Sequence, residues 1–258
     1  ARVYVGTDVD RYWIPYRLQP VDRAREKVAN ECLEYILDSG FRDPTVTNEQ
    51  ILRKAEKVNP SYVIPKDYLP WESYNTDKLP EEAVDHLREI RREYDEDYRA
   101  ATTASIEEFL DLWEDSPSNA RPIIPLQPPH VEHYRSLPER AKRYGYFSIG
   151  GIAHAGPEAQ VEALRAFRDE VGYGPSVHAL GVGTHLTAIR AIREDPGLVD
   201  SLDVSTPEQV VKNESVPDKT FSQPPDGSFQ MAKGTNSSTT REAWAGAVYL
   251  HLCYAISP

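Results

Sequence analysis

The feature that most constrains this chain is a repeated alternation of short, nearly continuous apolar runs with amphipathic stretches of helical period. After RVYVGTD, residues 21–34 read as a helix and YILDSG as a buried strand ending in a turn. Helical NEQILRKAEKV leads into YVIPKD, and helical LPEEAVDHLREIRREYDED leads into YRAATTA. Ser105 and Glu108 then have the spacing of a capping box that opens the helix SIEEFLDLWED. RPIIPLQ, a helix around VEHYRSLPERAKRYG, YFSIGGIA, the helix PEAQVEALRAFRDEVG, SVHALGVG, helical HLTAIRAIRED and SLDVS complete the series. Counted from RVYVG, these are eight strand candidates, the number in a (β/α)8 barrel; a doubly wound sheet alternates in the same way. The runs lack strict polar alternation, as expected of parallel strands covered on both faces. The expected class is therefore α/β, a TIM-type barrel.

From residue 205 the texture changes to a polar stretch rich in Ser, Thr, Pro and Gly that reads as loop, followed by the apolar helix REAWAGAVYLHLCYA. The expected organisation is a catalytic barrel over residues 1–210 with a C-terminal loop and helix, 211–258, packed on it; a dimer contact is the other use for that helix. A chain of 258 residues can bury one large core. Two cysteines, Cys32 and Cys253, supply neither a disulfide framework nor a cysteine metal cluster, and a reducing cytoplasm is the expectation. The apolar stretch near the end is shorter than the ~20 residues a bilayer span needs, and the start does not read as a secretion signal, so no membrane partner is expected.

The net charge of −12 argues against indiscriminate binding to a polyanion, though a local basic cleft is compatible with it. Nine of the 29 bases are Lys and the rest Arg; an acidic, Arg-over-Lys surface suits a high-salt, halophilic cytoplasm. Ordinary acidic solubility is the plainer reading.

Several strand candidates end in polar or permissive residues: Asp38, Lys66-Asp67, Gln127, Gly150-Gly151, Gly181, Gly183 and Asp203. In a barrel these positions share the rim where active sites are built. Carboxylates in unlike environments can divide labour as acid or base and as nucleophile, whereas a lone Asp at a strand end is as often a turn former. Gln127 can donate and accept in one plane, which suits an amide-like purine edge, and paired glycines allow a flat ligand close to the backbone. Neither Gly150-Gly151 nor the GVG at 181–183 makes a dinucleotide loop, and no phosphate-binding loop is present. His178 and His154 are placed to line the rim, while His130 and His133 read as a surface pair; no metal and no cofactor is expected.

LDSGF at 37–41, YVIPKD at 62–67, IPLQ at 124–127, FSIGGIA at 147–153, HALGVGT at 178–184 and VDSLDVSTP at 199–207 resemble, in order and spacing, the motifs of the tRNA-guanine transglycosylases, including their DNA-modifying relatives. The resemblance implies a barrel enzyme that exchanges guanine for a free 7-deazaguanine base without breaking the phosphodiester backbone. It assigns Asp38 as general acid/base and Asp203 as the nucleophile that attacks C1'. It assigns Asp67, Gln127, Gly150 and Gly151 to reading the base, with His178 of the HALGVGT motif added to that set.

There are departures too. DSGF is followed by Arg42-Asp43-Pro44, the PTR that follows the nucleophile in the tRNA enzymes becomes Ser205-Thr206-Pro207-Glu208, and their cysteine-rich zinc motif is absent. They favour DNA over tRNA as the polynucleotide, handled by a homodimer or with an accessory protein. A barrel hydrolase or lyase acting on a small ligand, and a non-catalytic nucleic-acid-associated or structural protein, are the competing readings.

Overall fold

The structure, a computed structural model, describes residues 1–6, 14–40, 43–153, 155–182, 185–205, 207 and 238–257. Most of the polar stretch from 205, together with Gly183 and His154, lies outside the described residues. The elements in chain order are β1 (Arg2–Gly6), β2 (Tyr16–Pro20), α1 (Glu26–Glu31), β3 (Glu34–Asp38), α2 (Asn48–Val58), β4 (Tyr62–Val63), α3 (Glu81–Glu93) and α4 (Tyr98–Glu114). They continue with β5 (Arg121–Pro122), β6 (Ile124–Leu126), α5 (His130–Ser136), α6 (Glu139–Lys142), β7 (Tyr146–Ile149), α7 (Pro157–Val171), β8 (Ser176–Ala179), α8 (Leu186–Glu194), β9 (Ser201–Val204) and α9 (Ser238–Ile256). The strand order is β5-β4-β3-β2-β1-β9-β8-β7-β6, and the recorded pairs are all parallel, which is the α/β, TIM-type barrel expected from the alternation.

The chain forms two compact units. One comprises Gln19–Asn30 and Glu34–Gly151. Within it β5 pairs with β4 and β6 with β7, and only Ile123 separates β5 from β6. Nine strand segments therefore fill eight positions. Pro122 and Pro125 lack the N–H a ladder needs, which breaks that stretch in two while Ile123 still donates to the Val63 carbonyl at 2.9 Å. Ile36, Leu37, Ile64, Ile124, Leu126 and Phe147 are fully buried in this unit.

The α2 helix opens with the reciprocal cap its sequence encodes. Gln50 donates its backbone N–H to the Thr47 hydroxyl, and Thr47 donates its N–H to the Gln50 side chain.

Two elements differ from expectation here. YRAATTA opens α4 and is not a strand, and Ser105 lies inside that helix. Asp97 caps it by accepting from Arg99 and Ala100 N–H groups, and its buried positions 101, 102, 105, 106, 109 and 110 keep helical period throughout. The two threonines mimic a strand in sequence, but Thr102 satisfies its hydroxyl on the Tyr98 carbonyl one turn back. In its place YRLQP is the strand β2, disguised because its inward residues include polar Arg17 and Gln19, 2% and 1% exposed. The helix expected over 21–34 shortens to α1, and Glu34 already belongs to β3.

The other unit comprises Ala1–Leu18, Glu31–Leu33 and Ile152–Pro258. β1 lies between β2 and β9, with Tyr4 the Cα partner of Asp203, and β8 pairs with β9 so that His178 is opposite Ser201. The C-terminal helix α9 packs on α8 and β1 through buried Ala245, Val248, Tyr249, Leu252 and Ile256, an i, i+3, i+4, i+7 stripe. Among the described residues no helix is long and apolar enough to cross a membrane.

Candidate functional site

In the first unit a buried polar array forms where β3, β4 and β6 end. The Ser39 hydroxyl donates to Asp67 Oδ1 at 2.8 Å, and Gln127 Nε2 donates to Asp67 Oδ2 at 2.6 Å. Ser39 and Gln127 are fully buried and Asp67 is 6% exposed. Burial pushes the Asp67 carboxyl upward; the Ser39 hydrogen bond, the Lys66 charge and the Gln127 amide pull it back. Because Nε2 is committed to Asp67, Gln127 turns its Oε1 the other way, where that buried acceptor has no hydrogen-bond partner. Buried polar atoms are ordinarily paired, so such an orphan marks a place for a ligand donor.

Gly151 stands against the same oxygen. Its φ is +70°, and a Cβ there would come to 2.7 Å from both Gln127 Oε1 and Pro128 Cδ. Only glycine fits both the space and the left-handed backbone.

Around this array the histidines have structural tasks. Gln127 donates its backbone N–H to His133 Nδ1 at 2.9 Å, which makes Nε2 the protonated nitrogen and directs it to Thr103 Oγ1 at 3.1 Å. His130 Nε2 donates to the Gly150 carbonyl at 2.8 Å. The surface-pair expectation for His130 and His133 is thus overturned: they are 6% and 0% exposed, because each satisfies backbone of a strand end that would otherwise be buried unpaired. Burial drives His133 down to about 4, and His130 also below its ordinary value.

Lys66 is 2% exposed; it donates its backbone N–H to Asn48 Oδ1 at 2.9 Å and its ammonium to the Asp43 carbonyl at 2.9 Å. Burial lowers its pKa, and the charges of Asp67, Asp43 and Asp38 oppose the shift. Asp38 accepts from the Gly40 N–H at 3.3 Å, a turn-forming contact that leaves its carboxylate at the exit of β3.

In the second unit the register places the remaining predicted residues. Ser201 and Asp203 lie two residues apart on β9 and therefore share a face, and His178 is the Cα partner of Ser201. Accordingly His178 Nδ1 is 2.7 Å from Ser201 Oγ, while His178 Nε2 is 3.7 Å from Asp203 Oδ1. Asp203 Oδ1 accepts the Gly181 N–H at 2.7 Å. Gly181 has a φ of +67°, and a Cβ there would reach 2.9 Å from Ala153 Cβ. Burial raises Asp203 to about 6 despite that hydrogen bond, and burial lowers His178 to about 3.

The structure thus gathers Asp67, Gln127, Gly150 and Gly151 in one unit, with Asp38 at the neighbouring strand end, and pairs Asp203 with His178 in the other. Sequence reasoning missed Ser39, Ser201, His130 and His133. Ser39 was legible, since it adjoins Asp38 at a strand end; the histidines sit beside prolines on a helix start, where nothing in the sequence announces burial. A cavity of about 400 Å³, lined in part by Asn48, Lys66, Tyr68, His86 and Glu108, contains none of the predicted site residues. Among the described residues no group of three or more His, Cys, Asp or Glu side chains could hold a metal ion. No family model matches the chain, and no curated protein matches it.

Proposed function

We propose that the chain is a base-exchange glycosyltransferase that replaces guanine in DNA with a free 7-deazaguanine base through a covalent aspartyl-sugar intermediate. The observation that carries this reading is the Ser39–Asp67–Gln127 array beside Gly151. A hydrogen-bonded acid and amide with one orphaned acceptor, next to a residue that tolerates no side chain, suits the flat hydrogen-bonding edge of a purine.

In this mechanism an ionised Asp203 oxygen attacks C1' of the target nucleoside. The glycosidic C–N bond breaks, its electron pair leaves with guanine N9, and the departing base takes a proton with Asp38 as general acid. The incoming deazaguanine enters the vacated site, Asp38 accepts the proton from its N9, and N9 attacks C1' to expel the Asp203 carboxylate. The bond energy is conserved in the ester, so neither metal nor nucleoside triphosphate is called for by the balance. An Asp203 pKa of about 6 leaves the carboxylate mainly ionised at neutral pH, as a nucleophile must be. The target nucleoside is base-flipped or single-stranded, since its C1' and purine edge are out of reach inside a duplex stack. DNA is preferred to tRNA because the zinc motif of the tRNA enzymes is absent from the chain. The chemistry belongs in the cytoplasm, where salt or a partner protein would offset the −12 charge.

The test is incorporation of labelled guanine into DNA and, separately, tRNA. Exchange into DNA is expected. Base release without incorporation would indicate a hydrolase, and neither would indicate a binding protein. Asp203→Asn is expected to abolish the covalent complex trapped with DNA and free base; an undiminished complex would remove Asp203 from the nucleophile's role.

A further inference from the structure

Asp203 faces a second buried group whose place in the chemistry the exchange mechanism leaves open. His178 is 0% exposed, and its Nε2 has no hydrogen-bond partner although it lies 3.7 Å from Asp203 Oδ1. Its other nitrogen is engaged: Nδ1 and Ser201 Oγ are 2.7 Å apart. The ring is held edge-on to Tyr4, with centroids 5.7 Å apart and planes at 80°. A buried imidazole braced on two sides, with its third side turned to a carboxylate, is not a filler of core space.

We infer that His178 is a positioning residue for Asp203: the carboxylate fixes the tautomer in which Nε2–H points at Asp203 Oδ1, and the Ser201 hydroxyl donates to Nδ1 in response. The inference rests on the reading of Asp203 as nucleophile. The opposite tautomer would set the Nε2 lone pair against an ionised carboxylate oxygen, two buried acceptors face to face with no donor between them. The Ser201 hydroxyl rotates to suit either tautomer, so the carboxylate decides.

Gly181 N–H and His178 Nε2–H then converge on the same oxygen, Oδ1. That leaves Oδ2, which a Cβ on Gly6 would approach to 4.0 Å, as the oxygen available for attack. The 3.7 Å separation is a loose arrangement; attack through Oδ2 turns Oδ1 into the ester carbonyl and draws charge off it, and the contact tightens when the incoming base expels the carboxylate and charge returns to Oδ1. Among the described residues, the groups facing the pair are Tyr4 and Gly6 from β1, Gly181 following β8, and Ser201 from the same strand as Asp203. Tyr4 and His178 are the titratable ones among these.

Two measurements on the whole protein test this without any substrate. In the first, long-range proton–nitrogen correlation of the histidine rings, with the His178 ring assigned through bonds from its own backbone, is expected to show the proton on Nε2. A proton on Nδ1 would overturn the inference, and this readout uses only the native chain, so it stands even if variants fail to fold. In the second, the Asp203 carboxyl carbon is titrated in the native protein, His178→Leu and His178→Gln. Removing the donor in His178→Leu is expected to raise the Asp203 midpoint by about one pH unit, a tenfold change in its protonation equilibrium. Gln, whose amide nitrogen falls near the Nε2 position, should restore it. A native midpoint in folded His178→Leu would overturn the inference. If the Nε2 tautomer is found but guanine exchange is absent, the proposed function fails and the placement of the carboxylate stands. If exchange occurs with the Nδ1 tautomer, the function stands and His178 loses its positioning role.

Discussion

Asp67 is a buried carboxylate and Asp203 a half-buried one, each at or just past a strand end, and their surroundings differ in how far the oxygens are satisfied. Asp67 has each oxygen taken by a side-chain donor, Ser39 on one and Gln127 on the other, and an ammonium at the adjacent residue. Among the described residues Asp203 has the Gly181 N–H at bonding distance, an imidazole at 3.7 Å, and a pKa raised by burial to about 6. Full satisfaction holds a carboxylate in one orientation, which suits recognition. Partial satisfaction keeps it higher in energy and more basic, which suits attack. Substitution should therefore damage the fold at the first array and relieve it at the second.

The largest effect is expected where the Asp67 array is opposed by charge. Gln127→Glu keeps the shape but replaces a donor with a second carboxylate at a position where Nε2 now lies 2.6 Å from Asp67. Two such groups cannot both ionise, so they share a proton and one is pushed strongly upward. Denaturant unfolding at pH 7 should show a loss of about 3–5 kcal/mol, recovering as the pH is lowered and the pair is protonated. A pH-independent loss would mean that the Asp67–Gln127 contact is not the source.

A smaller loss is expected from Gly151→Ala. The new Cβ meets Gln127 Oε1 and Pro128 at 2.7 Å, and the φ of +70° is strained for any side chain. Stability should fall by about 2–4 kcal/mol, and guanine binding should fall with it, because relief of the clash must displace the orphaned acceptor. Gly145→Ala is the control: its φ is +63°, but a Cβ there meets nothing within 4 Å, so it bears the backbone strain without the clash.

The same contrast explains what the sequence could disclose. Parallel strands buried on both faces leave continuous apolar runs, and from those the barrel was legible, as were the strand-end positions of Asp38, Asp67, Gln127 and Asp203. β2 escaped because Arg17 and Gln19 are turned inward; Gln19 accepts from the Tyr35 hydroxyl at 2.8 Å, a partner fixed only by tertiary structure. YRAATTA misled for the converse reason: threonines carry strand propensity, and the Asp97 cap with a continuing apolar face overrode it. Which carboxylate is satisfied and which is not lies beyond sequence altogether, since it depends on Ser39 and Gln127 meeting Asp67 across 28 and 60 residues.

The effect of smallest size has the opposite sign. Asp203→Asn keeps an oxygen for the Gly181 N–H and removes a charge that burial disfavours. A carboxyl whose folded pKa, about 6, exceeds its ordinary 3.8 binds its proton more tightly in the folded state. Its ionisation therefore costs stability progressively as pH rises from about 4 to about 6, and the full cost persists above that range. The side chain retains 19% exposure, which tempers the gain to about 1–2 kcal/mol. Asp203→Asn should thus unfold at higher denaturant than the native chain at pH 7.5, with the two converging below about pH 4. His133 and His178, whose pKa values are lowered to about 4 and about 3, destabilise the fold as acid protonates them, but they do so in both proteins and cancel in the difference. A variant less stable than the native chain at neutral pH would mean that Asp203 is held by contacts as complete as those of Asp67. The distinction between a reading carboxylate and a reacting one would then collapse.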